Sequence, residues 1–213
     1  MNIPQNPKID INDLGDRNFE EVWDIQKKLQ KQRINNEIHD TLLLVEHEPV
    51  YTLGKNGDKN HILQNRNNTI KIYDIDRGGD ITFHGPGQLV GYPILDLNNY
   101  TKSVNWYMRV LEELIIKVIG EFGISGSRIE GLTGVWVNNQ KIGAQGVRIS
   151  RWVTMHGFSI NVSPDLKYYD GIIPCGIFNY GITSMEDLLN KKPEMNKVKE
   201  TTIKIFKKLF ENN

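Results

Sequence analysis

The chain has 213 residues, 38% of them hydrophobic, and its 26 basic side chains balance 26 acidic ones. That length suffices to bury a substantial core, which excludes intrinsic disorder, and the zero net charge excludes an overall field drawing the chain to nucleic acid or to an anionic membrane. One cysteine, Cys175, excludes an intrachain disulfide and any multi-cysteine metal site, and no apolar run approaches the roughly 18 residues of a membrane span, so the cytoplasm is the expected compartment.

No linker, repeat or low-complexity tract divides the chain, so residues 1–213 read as one domain. Asn18-Phe-Glu-Glu21 resembles a capping box, and Phe19, Val22, Trp23, Gln26 and Leu29 recur at helical spacing, which predicts a helix from Phe19 to Arg33. Thr41 to Val45 is too short an apolar run for a helix and predicts a buried strand, and Ile70 to Ile75 leads to another. Val104, Tyr107, Leu111, Leu114, Ile115, Val118 and Phe122 define a long helix, capped by Ser103 and stopped by Gly123. Gly134 to Val137, the turn formers Asn138-Asn139 and Lys141 to Ile149 read as a hairpin, and Val153 to Val162 as a further strand. Val198, Thr202, Ile205, Phe206 and Leu209 predict a closing helix over Glu194 to Phe210, with Pro193 at its first turn. Helices before, between and after groups of strands argue for an α+β fold with a largely antiparallel sheet.

Three segments could carry chemistry, and in the first of them the five polar groups Arg77, Asp80, Thr82, His84 and Gln88 exceed what turns need. Arg77-Gly-Gly-Asp-Ile-Thr-Phe-His84-Gly-Pro-Gly-Gln88 has the glycine density that lets a backbone approach a ligand, or that makes a pair of hairpin turns; it lacks the spacing of phosphate and dinucleotide loops. Lys141-Ile-Gly-Ala-Gln-Gly146-Val-Arg148 places small residues on a strand, leaving room above the sheet, although a lysine beside a turn by itself reads as a solvated edge charge. His156, among apolar neighbours, reads as a core histidine bonded to backbone. In Asp170-Gly-Ile-Ile-Pro174-Cys175-Gly176, Pro174 and Gly176 set the thiol on a defined loop, as for a nucleophile. An unperturbed thiol of pKa about 8.5 needs a nearby cation or base, for which Lys141, His84 and His156 are the candidates.

Together with Leu44-Val-Glu-His-Glu-Pro-Val-Tyr-Thr-Leu-Gly54 and His156-Gly-Phe-Ser-Ile-Asn161, these segments resemble the lipoyl(octanoyl) transferase family over roughly Leu42 to Met185. The resemblance implies the fold of lipoate and biotin protein ligase catalytic domains, related to class II synthetases: a mixed sheet packed by helices. It implies a catalytic dyad of Cys175 and Lys141, and an acyl pocket from Arg77, Gly78, Gly79, Asp80, Ile81, Thr82, Phe83 and His84, then Ala144, Gln145 and Gly146, then Gly157, Phe158 and Ser159. It implies octanoyl-acyl carrier protein as donor, and as acceptors the lipoyl domains of 2-oxoacid dehydrogenase complexes and the glycine cleavage H protein. No cofactor, metal, ATP, nucleic acid or membrane is expected. Ala144 and Gly157 are expected to set the width of the acyl tunnel, and Arg148 with Arg151 to dock the acidic carrier. The competing readings are an ATP-dependent lipoate or biotin protein ligase, from which the Pro-Cys-Gly setting of Cys175 distinguishes the chain, and a non-catalytic carrier-binding protein of the same fold, against which stand both dyad residues.

Overall fold

The computed structural model describes residues 8–173 and 180–211. Along the chain these form β1 (Ile9–Arg17), α1 (Phe19–Ile34), β2 (Asp40–His47), β3 (Val50–Leu53), β4 (Lys71–Asp74), β5 (Ile81–His84), β6 (Gln88–Ile94), α2 (Val104–Gly120), β7 (Val135–Val137), β8 (Gln140–Ser150), β9 (Val153–Asn161), β10 (Gly181–Ile182), α3 (Met185–Leu189) and α4 (Met195–Phe210), with short 3-10 turns between. The main sheet has the order β1-β2-β6-β9-β8-β10, and β7 pairs with β8. β1 lies parallel to β2 and β10 to β8, while the other ladders of this sheet are antiparallel. A second sheet has the order β4-β3-β5.

The apolar run in β2 is continuous because both faces of the sheet are covered. Leu42 and Leu44 join Leu89, Phe158 and Ile160 under the buried residues of α2 and α4, whereas Leu43 and Val45 join Val90, Tyr92 and Val22 of α1. On α2 the stripe Leu111, Leu114, Ile115 and Val118 is fully buried, each side chain contributing about 1.5–3 kcal/mol. Ser103 caps this helix by accepting from the Trp106 N–H, and Gly123 follows it at φ +82°. The expected bounds of α1, α2, β8 and β9 agree with the structure to within about three residues. Asn138 and Asn139 make the β7–β8 turn at φ +48° and +63°, the left-handed pair that suits the twist of a two-residue hairpin.

Two features depart from expectation. β1 carries Asp10, Asn12, Asp13 and Asp16 among few apolar residues, so it shows no strand pattern; it is an edge strand whose pairing with β2 shifts between Asp13 and Asp16, near Gly15 at φ +63°. Pro193 precedes the α4 cap Glu194 instead of standing inside the first turn. α1 also buries a polar seam. Gln30 Nε2 donates to the Val153 carbonyl at 2.9 Å, Gln26 Oε1 accepts from the His156 N–H at 3.0 Å, and Arg33 Nε bonds Asp40 at 2.7 Å. These contacts fix α1 against β9 and the end of β2. Among the described residues no helix is long and apolar enough to cross a membrane.

Candidate active site

A cavity of about 560 Å³ lies between the Arg77–Asp80 segment and the strands β6, β8 and β9. Phe19, Ile75, Val90 and Tyr92 line it on the α1 side, and Val104 and Met108 of α2 line it elsewhere. Its roof is tied down on both sides. Towards the small sheet, Arg77 Nη2 donates to the Thr52 carbonyl at 2.7 Å and to its hydroxyl at 3.0 Å, and the Asp80 carboxylate accepts from the N–H groups of Ile81 and Asp58 and bonds His61 Nδ1. Towards the main sheet, the Gly78 N–H donates to the Val147 carbonyl at 2.9 Å, and Asp76 bonds His156 Nε2 at 2.8 Å and Arg148 Nε at 3.0 Å. At Gly146 strand and roof are close, since a Cβ there would stand 3.0 Å from the Gly78 carbonyl oxygen.

The side-chain bonds settle the protonation of the histidines. Gln88 Nε2 faces the Phe83 carbonyl, Asn161 Oδ1 and the Tyr169 hydroxyl, three oxygens for its two N–H groups, so its Oε1 is left to accept, and His84 Nδ1 carries the proton that meets it at 2.7 Å. Burial, aided by His47 nearby, pushes the His84 imidazole down to about 3, so it is neutral in the cavity wall. Burial also lowers His156, against the raising effect of Asp76, while the hydrogen bond from His156 holds the Asp76 carboxyl below its ordinary range. A neutral His156 therefore donates Nε2–H to an ionised Asp76. His156 has φ +59°, rare for a non-glycine residue inside a strand, and its N–H goes to Gln26.

Lys141 lines the same cavity and is buried, at 5% exposure. Its Nζ stands 4.8 Å from the centroid of the Trp136 ring, across the β7–β8 ladder. A second, small space of about 10 Å³, the size of one water, adjoins it among Thr82, Ser159, Asn161 and Tyr169. The lysine is thus no solvated edge charge. Glu112 of α2, also buried, accepts from Arg109, Arg128 and Gln145 Nε2 at 2.7–2.9 Å. Through Arg128 and the Gly134 N–H it braces the Gly131, Leu132 and Thr133 wall of the cavity.

A family model described as the lipoyl protein ligase A/B catalytic domain matches residues 18–207. The chain belongs to this family. It is 44% identical to an octanoyltransferase of Flavobacterium johnsoniae, over 97% of this chain and 98% of that one, and 50% identical to an octanoyltransferase of Gloeobacter violaceus over 73% and 70%. Its fold is that of a bi-partite lipoate protein ligase from Thermoplasma acidophilum (TM-score 0.67, 12% identity, 95% of this chain and 84% of that chain). It is shared with a biotin protein ligase from Aquifex aeolicus (TM-score 0.60, 15% identity, 94% and 70%). The α+β architecture implied by the sequence is therefore the family's fold.

Of the residues singled out in the sequence, Arg77, Gly78, Gly79, Asp80, Thr82, His84, Lys141, Ala144, Gln145, Gly146, Gly157, Phe158 and Ser159 line the cavity together. Ile81 and Phe83 lie apart from it, in the core beneath the small sheet with Tyr51 and Ile172, because alternation along β5 turns them away from Thr82 and His84. Cys175, with Pro174 and Gly176, lies outside the described residues. His156 bonds a carboxylate, in contrast to the backbone partner expected, and Arg148 is engaged by Asp76 and Gln30, which leaves Arg151 as the exposed member of the expected docking pair. The room expected above β8 is present where Ala144 and Gly146 line the cavity, whereas at Gly143 Ile115 of α2 occupies the place of a Cβ. Gly157 admits the β6 backbone, since a Cβ there would stand 2.2 Å from the Gly91 carbonyl oxygen. Sequence reasoning missed Asp76, one residue before the glycine-rich run, and Glu112, an acid beside the apolar stripe of α2 whose burial demands the partners it has.

Proposed function

We propose that the chain is one catalytic acyltransferase domain, working in the cytoplasm, that moves an octanoyl group from acyl carrier protein to a lysine of a lipoyl domain through a thioester on Cys175. Its class is octanoyltransferase, as in relatives 42–50% identical over most of the chain. The observation that carries the mechanism is a buried lysine, Lys141, in the wall of an acyl-sized cavity also lined by a neutral His84. Apolar walls suit an eight-carbon chain, each buried methylene adding about 0.8 kcal/mol.

In the first step the Cys175 thiolate attacks the carbonyl carbon of the donor thioester, the bond to the phosphopantetheine sulfur breaks, and that sulfur leaves with a proton from the Lys141 ammonium. One thioester replaces another, so the step is nearly isoenergetic and needs no ATP. In the second step the neutral ε-amine of the acceptor lysine attacks the octanoyl-cysteine, the Cys175 thiolate departs, and the resulting N–H proton passes to Lys141. An amide replaces a thioester, which draws the sequence forward. The acceptors in this reading are lipoyl domains of 2-oxoacid dehydrogenase complexes and the glycine cleavage H protein. Neither membrane nor nucleic acid is a partner.

Intact-mass spectrometry after mixing the protein with octanoyl-acyl carrier protein, without ATP, tests this reading. An octanoyl adduct released by hydroxylamine, absent from Cys175→Ser and formed slowly by Lys141→Ala, is the expected result. Transfer that requires ATP, or that persists at near wild-type rate in Cys175→Ser, refutes it.

A further inference from the structure

The Gly134-Val-Trp-Val137 segment forms β7, yet its residues do more than pair with β8. Two of them, on either side of Val135, enclose the side chain of Lys141. Trp136 is opposite Lys141 in the ladder, is fully buried, and presents its ring to the ammonium at 4.8 Å, inside the range in which a cation is attracted by an aromatic face. Gly134 has φ +128°, and a Cβ on it would come within 2.9 Å of Lys141 Cε and 3.4 Å of Cδ. The glycine is thus the wall against which the methylenes lie. Behind the ring, Tyr180 packs edge-on at 5.1 Å, and before Gly134 the Glu112 carboxylate accepts its N–H. The two-residue Asn138-Asn139 turn sets Trp136 across from the lysine, and the register slips just beyond it, between Val135 and Trp136, where Val135 pairs with Gly143.

We propose that Gly134 and Trp136 form a cradle that fixes the Lys141 ammonium within the site, making Trp136 a positioning residue for the acyl transfer. A lysine side chain has four rotatable bonds and its charge is a compact point, so its effect on a neighbouring thiol depends on where it is held. An aromatic face attracts the cation without itself donating or accepting a proton. A carboxylate in the same place would pair with it in a salt bridge and compete with the thiolate. This inference rests on the assignment of Lys141 as the partner of Cys175. The other titratable and charged groups that share the cavity walls with Lys141 are Arg77 and Asp80 from the roof, His84 from β5, Tyr92 from β6, His156 from β9, and Tyr169. All of them are left intact by the variants below.

Cys175 is the chain's single thiol, so the pH profile of its alkylation by iodoacetamide reports the thiolate directly. Trp136→Leu should move the midpoint upward by on the order of one pH unit and lower single-turnover acylation at neutral pH about tenfold. Trp136→Phe, which keeps a ring face, should recover most of both. Gly134→Ala, which displaces the lysine from the opposite wall, should shift the midpoint in the same direction and decides the matter if the leucine variant does not fold by near-ultraviolet circular dichroism. In a Lys141→Ala background Trp136→Leu should have no further effect on the midpoint. A folded Trp136→Leu protein with the wild-type profile, equal losses for Leu and Phe, or a full shift in the Lys141→Ala background overturns the cradle. If Lys141→Ala alone leaves both the midpoint and octanoyl transfer unchanged, the role of Lys141 itself falls, an outcome that this single variant tells apart from failure of the cradle.

Discussion

Acid should destabilise the protein through His84 over a defined window, and the structure gives the magnitude. The imidazole is neutral and buried, its Nδ1–H bonded to Gln88, with its folded value pushed down to about 3. Unfolded, it returns to about 6.5. Below that value the unfolded chain takes up a proton that the folded one refuses, so the stabilising contribution is complete above pH 6.5 and lost as pH falls towards 3. Linkage sets the loss from this one group at about 2 kcal/mol between pH 7.5 and pH 5, and about 3 kcal/mol by pH 4. His47 and His156, both lowered by burial, add to the wild-type slope in the same direction. The clean comparison is therefore His84→Asn, whose side-chain amide can still donate to Gln88 Oε1 but does not titrate. Urea unfolding of both proteins across this range should give a wild-type curve that falls about 2 kcal/mol further than the variant's by pH 5. Parallel curves would show that His84 is already solvated or protonated in the folded state, and the uncharged cavity wall would go with it.

Two further outcomes follow from the same geometry. Gly157→Ala should lower stability by more than about 2 kcal/mol, because its Cβ would meet the Gly91 carbonyl oxygen at 2.2 Å and Pro93 Cδ at 2.5 Å; a thermal midpoint within two degrees or so of wild type would contradict the strand packing. Ala144→Leu, which adds bulk directly to the cavity wall, should reduce octanoyl transfer at least tenfold more than butanoyl transfer, since displacing two methylenes costs about 1.6 kcal/mol, and equal losses for the two chains would remove Ala144 from the acyl path.

The helices and central strands were readable because their burial is periodic or continuous. The stripe on α2 and the run in β2 both report a face covered by other elements. β1 was not, because a parallel edge strand with acids on its exposed positions carries no apolar signature; its partner β2 makes it a strand. The same limit applies to the site. Glycine density marked the roof, and the family resemblance marked Lys141, but no local pattern could bring Asp76 to His156, Gln26 to the same histidine's N–H, or Glu112 to Gln145, since each pair is assembled by separate elements. Ile81 and Phe83 were drawn into the expected pocket by adjacency in a motif, whereas a strand's alternation sends every second residue to the opposite side.

The break in β1 also bears on how molecules of this protein meet one another. An open strand at the rim of a sheet is a template for another chain, and the parts of β1 that face outward offer a poor one. Asp16 is exposed on it, Asp13 is tied to Lys199 of α4 at 3.0 Å, and the left-handed Gly15 between them interrupts the ladder, so a copy laid alongside would meet a discontinuous row of N–H and C=O groups. The irregularity that hid this strand from sequence reading guards the large sheet against edge-to-edge aggregation in a crowded solution.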